Sequence, residues 1–200
     1  TSVLSTIGGY LEGQIIGTAY KASFFLFRTE DVSSEFHIEE INWLIAAEYA
    51  DSAGVDVINT SLGYTDFFTD PAMNYTYADM DGNTALITRA ADFAAATGML
   101  IVNSAGNFGN SSWQYIAAPA DGDSVLTVGA VDLNEVYASF SSQGPSYDGR
   151  VKPNLMAQGQ NIWAATSSGG FDNMSGTSFS SPILCGMAAG FWQANPGLTN

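Results

Sequence analysis

The sequence predicts a three-layer α/β domain in which a mostly parallel central sheet is covered by helices on both faces. Short apolar runs of strand length alternate with longer segments of helical periodicity, which is the order typical of such a sheet. This alternation of strands and helices predicts a parallel sheet that is covered on both faces. With 200 residues, 46% of them hydrophobic, the chain is long enough for one domain with a substantial core.

The first part of the chain supplies two predicted strands, one helix and a long loop. A buried strand is predicted at Ala22–Phe27, because four large apolar side chains follow one another there. A helix is predicted at Ile38–Ser52, with Gly54 just beyond its end. A second strand is predicted at Val55–Ser61, and the aromatic and polar segment Asp66–Asn83 is expected to be a loop. The residues expected on the inward face of the helix are Ile41, Leu44, Ile45 and Tyr49.

The second part of the chain continues the alternation. An alanine-rich helix is predicted at Thr84–Thr97, stopped by Gly98. The residues expected on its inward face are Leu86, Ala90, Phe93 and Ala94. Further strands are predicted at Met99–Asn103, Val125–Val131 and Asn161–Ala165, and a last helix follows Gly176.

The start of that last helix carries the most informative motif. Residues 173–182 read Asn-Met-Ser-Gly-Thr-Ser-Phe-Ser-Ser-Pro, so a Gly-Thr turn delivers Ser178 onto the first turn of an apolar helix of small residues. A hydroxyl there lies at the positive end of the helix dipole, beside unpaired backbone N–H groups that can hold an oxyanion. The motif therefore predicts a nucleophilic serine. The alternative is an ordinary Ser/Thr helix cap with Pro182 in the first turn.

Three more segments accompany this motif. An apolar strand runs into Ser104-Ala105-Gly106-Asn107, where the alternative for Asn107 is an ordinary turn residue. The strand from Val55 ends in Ser61-Leu62-Gly63, which also fits a core strand with a glycine stop. Further on, Phe140-Ser141-Ser142 precedes Lys152-Pro153-Asn154.

Together these segments closely resemble the subtilisin-like serine peptidases, the subtilases of peptidase family S8. The resemblance implies a subtilisin-like sheet that lacks its N-terminal and C-terminal elements. It implies that Ser178 is the nucleophile and that the Asn107 side chain is an oxyanion donor. It also implies that Ser61-Leu62-Gly63 and Ser104-Ala105-Gly106 bind the extended substrate, and that Ala118-Pro119 is a cis peptide. Where the family has an Asp and a second Pro, this chain has Asn154 and Gln158, both at structural positions.

The resemblance also implies residues that the chain does not contain. A subtilase serine works with an Asp and a His that precede it in the chain, but His37 is the one histidine here and lacks the family's His-Gly-Thr context. His37 is expected to be an exposed loop or cap residue. Thr1 matches the Thr of His-Gly-Thr, so residues 1–200 are expected to be a partial catalytic domain that starts just after the catalytic His and ends after the serine helix. Alone, this fragment is expected to be inactive.

Two alternatives to an active serine endopeptidase stay open from the sequence. The parent protein could be a catalytically dead subtilase-like domain that acts in binding or as a scaffold. The chain could also be a doubly wound α/β ligand-binding module with a chance serine motif. The intact set of Ser178, Asn107 and Ser61-Leu62-Gly63 favours the enzyme.

Charge and composition limit the classes of partner that the protein can have. The net charge is −15 with five Lys and Arg residues, which argues against nucleic acid as a partner. No apolar run is long enough for a membrane span. A peptide or protein substrate is expected, in a secreted or cell-envelope setting that an acidic surface suits.

No cofactor is expected for catalysis, and no metal ligands are assigned. Subtilases often bind structural calcium, but the sequence gives it no position. The run Asp79–Asn83 alternates oxygen ligands like part of a calcium loop, yet it lacks the downstream Glu and is better explained as a helix-capping turn. Cys185 is the only cysteine and is expected to be a buried core residue.

Overall fold

The computed structural model describes all 200 residues and has a parallel sheet with helices packed on both of its faces. Two short 3₁₀ turns, Pro71–Met73 and Tyr77–Asp79, lie in the loop that the sequence predicts. The helices and strands, in chain order, are α1 (Ser2–Gly8), β1 (Tyr10–Leu11), β2 (Ile15–Ile16), α2 (Ile38–Ser52), β3 (Val57–Thr60), α3 (Leu86–Ala96), β4 (Leu100–Ser104), β5 (Val125–Val131), β6 (Leu155–Gln158), β7 (Ile162–Ala165), β8 (Phe171–Met174) and α4 (Thr177–Ala194).

The central sheet has four parallel strands in the order β3-β4-β5-β6, while β1–β2 and β7–β8 are separate antiparallel pairs. In the central sheet Val57 lies opposite Leu100, and Ile101 lies opposite Val125. Because the strands are parallel, the carboxyl ends of β3 and β4 meet at the same edge of the sheet. Ligand sites of open α/β sheets form at this edge.

Neighbouring side chains of β4 enter different cores, as the pleat of a strand requires. Ile101 packs into a core with α2 and α3, which lie on one face of the sheet. Val102 packs against Ile7 of α1 and Cys185 of α4 on the opposite face. This arrangement confirms the three-layer prediction and the buried position of Cys185. Burial raises the pKa of that thiol to about 12, so it stays protonated at neutral pH.

The predicted strand at Ala22–Phe27 is wrong. This segment forms no regular secondary structure, and its large apolar side chains Phe24 to Phe27 are exposed. No strand of the structure pairs with it, and the central sheet ends at β3. A strand is defined by its ladder partner, so an apolar run alone does not make one.

The bounds of α2 agree with the prediction, but its predicted inward face is wrong except at Leu44, which packs against the core. Ile41, Ile45 and Tyr49 are exposed, while Trp43 and Ala47 are buried on the side that faces α3. Small residues on both helices let their backbones approach closely. For the same reason Ala90 and Ala94 of α3 are buried as predicted, whereas Phe93 is 61% exposed.

Two local predictions hold, the cis peptide and the turn before α3, and one predicted boundary differs. The Ala118-Pro119 peptide is cis. Asp81 accepts hydrogen bonds from the backbone N–H groups of Asn83 and Thr84, both at 2.8 Å, and so forms a turn before α3. The helix begins two residues after the predicted start, at Leu86, and its N-cap residue Ala85 makes no side-chain capping bond, so the Asp81 turn precedes the helix without capping it.

Candidate active site

Ser178 is the second residue of α4 and lies at the edge where β3 and β4 end. Gly176 precedes the helix with φ of +155°, a backbone conformation that favours glycine. The Ser178 side chain is half-buried, and its backbone N–H has no acceptor in the protein. The sequence prediction of a serine in the first turn, with a free backbone donor, agrees with this geometry.

Asn107 is held against the start of α4 by its carbonyl oxygen alone. Its Oδ1 accepts hydrogen bonds from the Thr177 backbone N–H at 2.8 Å and from Thr177 Oγ1 at 3.0 Å. Thr177 Oγ1 in turn accepts a hydrogen bond from the Gly106 backbone N–H at 3.2 Å. The Asn107 Nδ2 group therefore remains a free donor near the Ser178 N–H: a Cβ atom added to Gly176 would lie 3.5 Å from Asn107 Nδ2 and 3.7 Å from the Ser178 nitrogen. Two such donors on one side of a hydroxyl can stabilise negative charge on an oxygen.

A proline in α4 links Ser178 to the end of β3. Pro182 lies in the second turn, not the first as the capping alternative requires, and it has no N–H for the Ser178 carbonyl four residues earlier. Ser61 Oγ fills this place and donates to the Ser178 carbonyl oxygen at 3.1 Å. The predicted nucleophile and a predicted substrate-binding residue are therefore in direct contact.

Two residues that sequence reasoning missed complete this link. Asn59 Nδ2 donates to Ser61 Oγ at 3.3 Å, and Ser181 Oγ donates to Asn59 Oδ1 at 2.9 Å. A polar residue in an otherwise apolar strand, two positions before Ser61, was the available signal, because such a residue needs a partner when it is covered.

The two predicted substrate-binding segments lie on either side of the run that follows Tyr115. Ala117 N–H donates to the Ala105 carbonyl oxygen at 3.2 Å. A Cβ atom added to Gly63 would lie 2.9 Å from Ala117 Cβ, so glycine allows a close approach there. Tyr64, the next residue, pairs with Ala118 through hydrogen bonds of 2.9 and 3.2 Å. The structure therefore brings all the predicted site residues to one edge of the sheet.

His37 does not take part in this arrangement. It occupies the N-cap position of α2, where its ring contacts Phe68 and Tyr75 and its Nδ1 hydrogen-bonds to Glu40. None of its contacts is with Ser178. The cap position agrees with the sequence prediction, although the ring is only one-third exposed.

The whole chain, residues 1–200, matches the model of the Subtilase family. The chain therefore belongs to the subtilase family, and the interpretation of its serine motif as a chance match is wrong. No helix is both long and apolar enough to cross a membrane.

Relatives named as proteases agree with this assignment. The serine protease AprX of Bacillus subtilis (strain 168) is 34% identical over 184 residues, which cover 81% of this chain and 39% of that protein. Subtilisin DY of Bacillus licheniformis is 35% identical over 176 residues, which cover 88% of this chain and 56% of that protein. The chain thus spans about half, or less, of the length of these curated relatives.

Solved structures show the same fold. The self-cleaved protease domain of PatA superposes with a TM-score of 0.77 at 29% identity, covering 100% of this chain and 69% of that one. Sphericase superposes with a TM-score of 0.60 at 28% identity, covering 82% of this chain and 51% of that one.

Proposed function

We propose that the protein is a serine endopeptidase in which Ser178 forms an acyl-enzyme with the substrate. The observation that carries this proposal is the pair of free donors beside Ser178, its own backbone N–H and Asn107 Nδ2. Donors prearranged around a nucleophile suit the developing oxyanion of acyl transfer. A helix cap alone does not need the second donor.

In this mechanism Ser178 Oγ attacks the scissile carbonyl carbon while a base takes the hydroxyl proton. The Ser178 N–H and Asn107 Nδ2 hold the oxyanion of the tetrahedral intermediate. The base then protonates the leaving amine, and water hydrolyses the acyl-enzyme by the reverse sequence of steps. We propose that the base is a histidine, oriented by an aspartate, and that both belong to a segment of the parent protein upstream of Thr1.

The substrate is proposed to be a peptide in an extended conformation. It would lie between Ser61-Leu62-Gly63 and Ser104-Ala105-Gly106, whose backbones end neighbouring parallel strands. Extended peptides bind such edges through main-chain hydrogen bonds. Ile116 and Ala117, between the two segments, would form the floor of the first side-chain pocket. A secreted or cell-envelope location is proposed with it, which fractionation of cells that express the parent protein would test.

A catalytically dead binding or scaffold domain is the second candidate function. It would bind peptides at the same two segments without needing a reactive Ser178. The exposed position of Asn107, whose amide has no acceptor in the protein, favours the enzyme over this candidate.

The test is covalent labelling of the full-length protein with a fluorophosphonate, together with hydrolysis of a denatured protein substrate. We expect labelling and hydrolysis in the parent protein, and loss of both in Ser178→Ala. The matched control is Ser168→Ala on the exposed loop between β7 and β8, which should leave both unchanged. A folded parent protein that binds peptides but is neither labelled nor active would establish the scaffold function instead.

A further inference from the structure

Three glutamates converge beside Tyr64, the residue that follows Ser61-Leu62-Gly63, in a place that the proposed chemistry does not use. Glu30 and Glu35 lie in the loop before α2, and Glu39 lies in the first turn of that helix. Each offers a carboxylate oxygen, and these oxygens all lie within 4.8 Å of one another. Like charges at this distance repel strongly when they are covered from water.

Glu39 gives an independent indication that a group is needed here. Its side chain is 2% exposed, and its Oε2 is buried without any hydrogen-bond partner. The other oxygen, Oε1, accepts a hydrogen bond from the Asp31 backbone N–H at 2.7 Å. A buried carboxylate oxygen without a donor loses its hydration without gaining a hydrogen bond, so such atoms are rare in folded proteins.

No basic side chain balances this charge. The ion pairs of the structure join His37 to Glu40 and Arg150 to Asp123 and Asp148, which leaves all three glutamates without one. Arg28, the nearest base in sequence, directs Nε at the Glu30 backbone carbonyl rather than at its carboxylate.

The excess of negative charge also affects the groups around Glu35 and Glu30. Burial, and then the negative charges of Glu39 and Glu30, raise the pKa of Glu35 to about 7. Two hydroxyl groups donate to the glutamates, and both donate to Glu30. The Tyr64 hydroxyl donates to Oε2 at 2.8 Å and Oε1 at 3.0 Å, and Thr29 Oγ1 donates to Oε1 at 2.8 Å. Burial and the charge of Glu30 raise the pKa of Tyr64, which keeps the Tyr64 hydroxyl protonated.

We propose that Glu30, Glu35 and Glu39 bind a divalent cation, with Ca²⁺ the best fit. Calcium takes oxygen ligands at about 2.3–2.6 Å, so two of its ligands lie at most about 5 Å apart, which agrees with the spread of these oxygens. Zinc prefers nitrogen and sulfur ligands, and none is present in the group. Glu39 is nearly inaccessible, so a bare ion can reach it more easily than a lysine or arginine side chain of a substrate can.

A bound ion would connect three parts of the molecule. It would hold the loop that carries Glu30 and Glu35 against the first turn of α2. Through the Tyr64 hydroxyl it would also fix the residue that directly follows Ser61-Leu62-Gly63. We therefore expect calcium to stiffen the acyl-side wall of the proposed substrate site.

The test is Ca²⁺ binding to the full-length protein carrying Ser178→Ala, which removes self-digestion and makes the result independent of the proposed protease function. Isothermal titration calorimetry with CaCl₂ after EDTA treatment gives the number of sites and their affinities. Glu35→Gln and Glu39→Gln should each lose one site or weaken it at least about tenfold. Glu48→Gln, an exposed position on the same helix, is the matched control and should keep every site.

Thermal melting separates a metal ligand from a merely structural residue. In EDTA, Glu35→Gln should melt at the same temperature as the parent or higher, because the amide relieves the repulsion. In calcium, the protein with Glu35 intact should melt at a higher temperature than Glu35→Gln, because only the intact site gains binding free energy from calcium. Equal calcium stoichiometry and affinity in the parent and in both variants would overturn the proposal, leaving a proton shared between Glu35 and Glu39. With Ser178 restored, a changed preference for cleavage at Lys or Arg in Glu35→Gln or Glu39→Gln, with every calcium site kept, would overturn the proposal in favour of substrate recognition.

Discussion

The start of α4 contacts Ser61 and the loop before α2 contacts Tyr64, so both lie beside the end of β3, yet they differ in how their polar groups are satisfied. At α4, the Asn107 carbonyl oxygen is used by Thr177 and the Ser178 carbonyl oxygen by Ser61, which leaves the Ser178 N–H and the Asn107 amide as free donors. Before α2, the surplus consists of acceptors, and one of them, on Glu39, is buried. The first region therefore has free donors, as the proposed oxyanion site requires, and the second has free acceptors, as the proposed cation site requires.

The largest expected effect is on kcat, and it should come from removing the side-chain donor of the first region, the Asn107 amide. Asn107→Asp keeps a carboxylate oxygen for the Thr177 N–H and hydroxyl but loses the amide donor. We expect kcat to fall by about a hundred- to a thousandfold with KM nearly unchanged, a magnitude borrowed from the same kind of donor in subtilisin. Steady-state kinetics on the complete, active protein provide the measurement.

Asn107→Leu should lower kcat by a similar factor, and it should also destabilise the start of α4, because both bonds to Thr177 are lost. Asn110→Ala, on the exposed part of the same loop, is the control. A decrease in kcat of less than about fivefold for Asn107→Asp would remove Asn107 from the role of oxyanion donor.

The second prediction concerns the chain's buried cation, which lies away from the glutamates. Lys152 Nζ donates to the carbonyl oxygens of Gly122 and Val125, both at 2.7 Å, and to Thr127 Oγ1 and Asn154 Oδ1, both at 3.1 Å. Burial, followed by the charge of Arg150, lowers its pKa to about 8. Between pH 8 and the ordinary lysine pKa of about 10.4, the unfolded chain binds more protons than the folded one.

The contribution of Lys152 to stability should therefore rise with pH in this window. Relative to Lys152→Met, the wild type should gain roughly 3 kcal/mol of unfolding free energy between pH 8 and pH 10.5, measured by urea denaturation of both proteins. Below pH 8 the difference should be constant. A difference that does not change across the window would mean that Lys152 keeps an ordinary pKa.

The sequence predicted the first region far better than the second. Val125–Val131 has the predicted bounds, and Ser178, Asn107 and Gly63 lie together as the motifs imply. These residues belong to short contiguous motifs at strand and helix ends, where local rules and the family resemblance apply. The contact between Asn59 and Ser181 was missed because it joins residues 122 positions apart.

The second region was missed because no local pattern identifies it. The glutamates at 30, 35 and 39 are spaced by five and four residues across a loop and a helix start, so their proximity depends on how the loop folds back. The strand expected at Ala22–Phe27 failed for a related reason, since its side chains were apolar enough but no partner strand lies beside it. Tertiary pairing therefore limits what such runs can predict.

The third prediction tests the link between Pro182 and Ser61. Ser61→Ala removes the donor to the Ser178 carbonyl and should destabilise the protein by about 1 kcal/mol, the usual value for one hydrogen bond. Pro182→Ala restores a backbone N–H that can bond to the same carbonyl in the helix. In that background Ser61→Ala should have a smaller effect, and a double-mutant cycle of unfolding free energies measures the coupling. Additive effects would show that Ser61 acts independently of the proline.

The smallest effect on activity should come from His37→Ala. The ring lies between Phe68 and Tyr75 and pairs with Glu40, a carboxylate that also accepts from the Ile87 backbone N–H at the start of α3. Removing it should reduce stability by about 1–2 kcal/mol, because Glu40 is buried and loses one partner. The catalytic rate of the complete protein should stay within about twofold, since none of these contacts reaches Ser178. Glu40→Gln, which keeps the carbonyl acceptor but not the charge, separates the loss of the ion pair from the loss of the ring. A collapse of activity in a folded His37→Ala protein would mean that the base for Ser178 lies within these residues, and the proposed upstream histidine would be wrong.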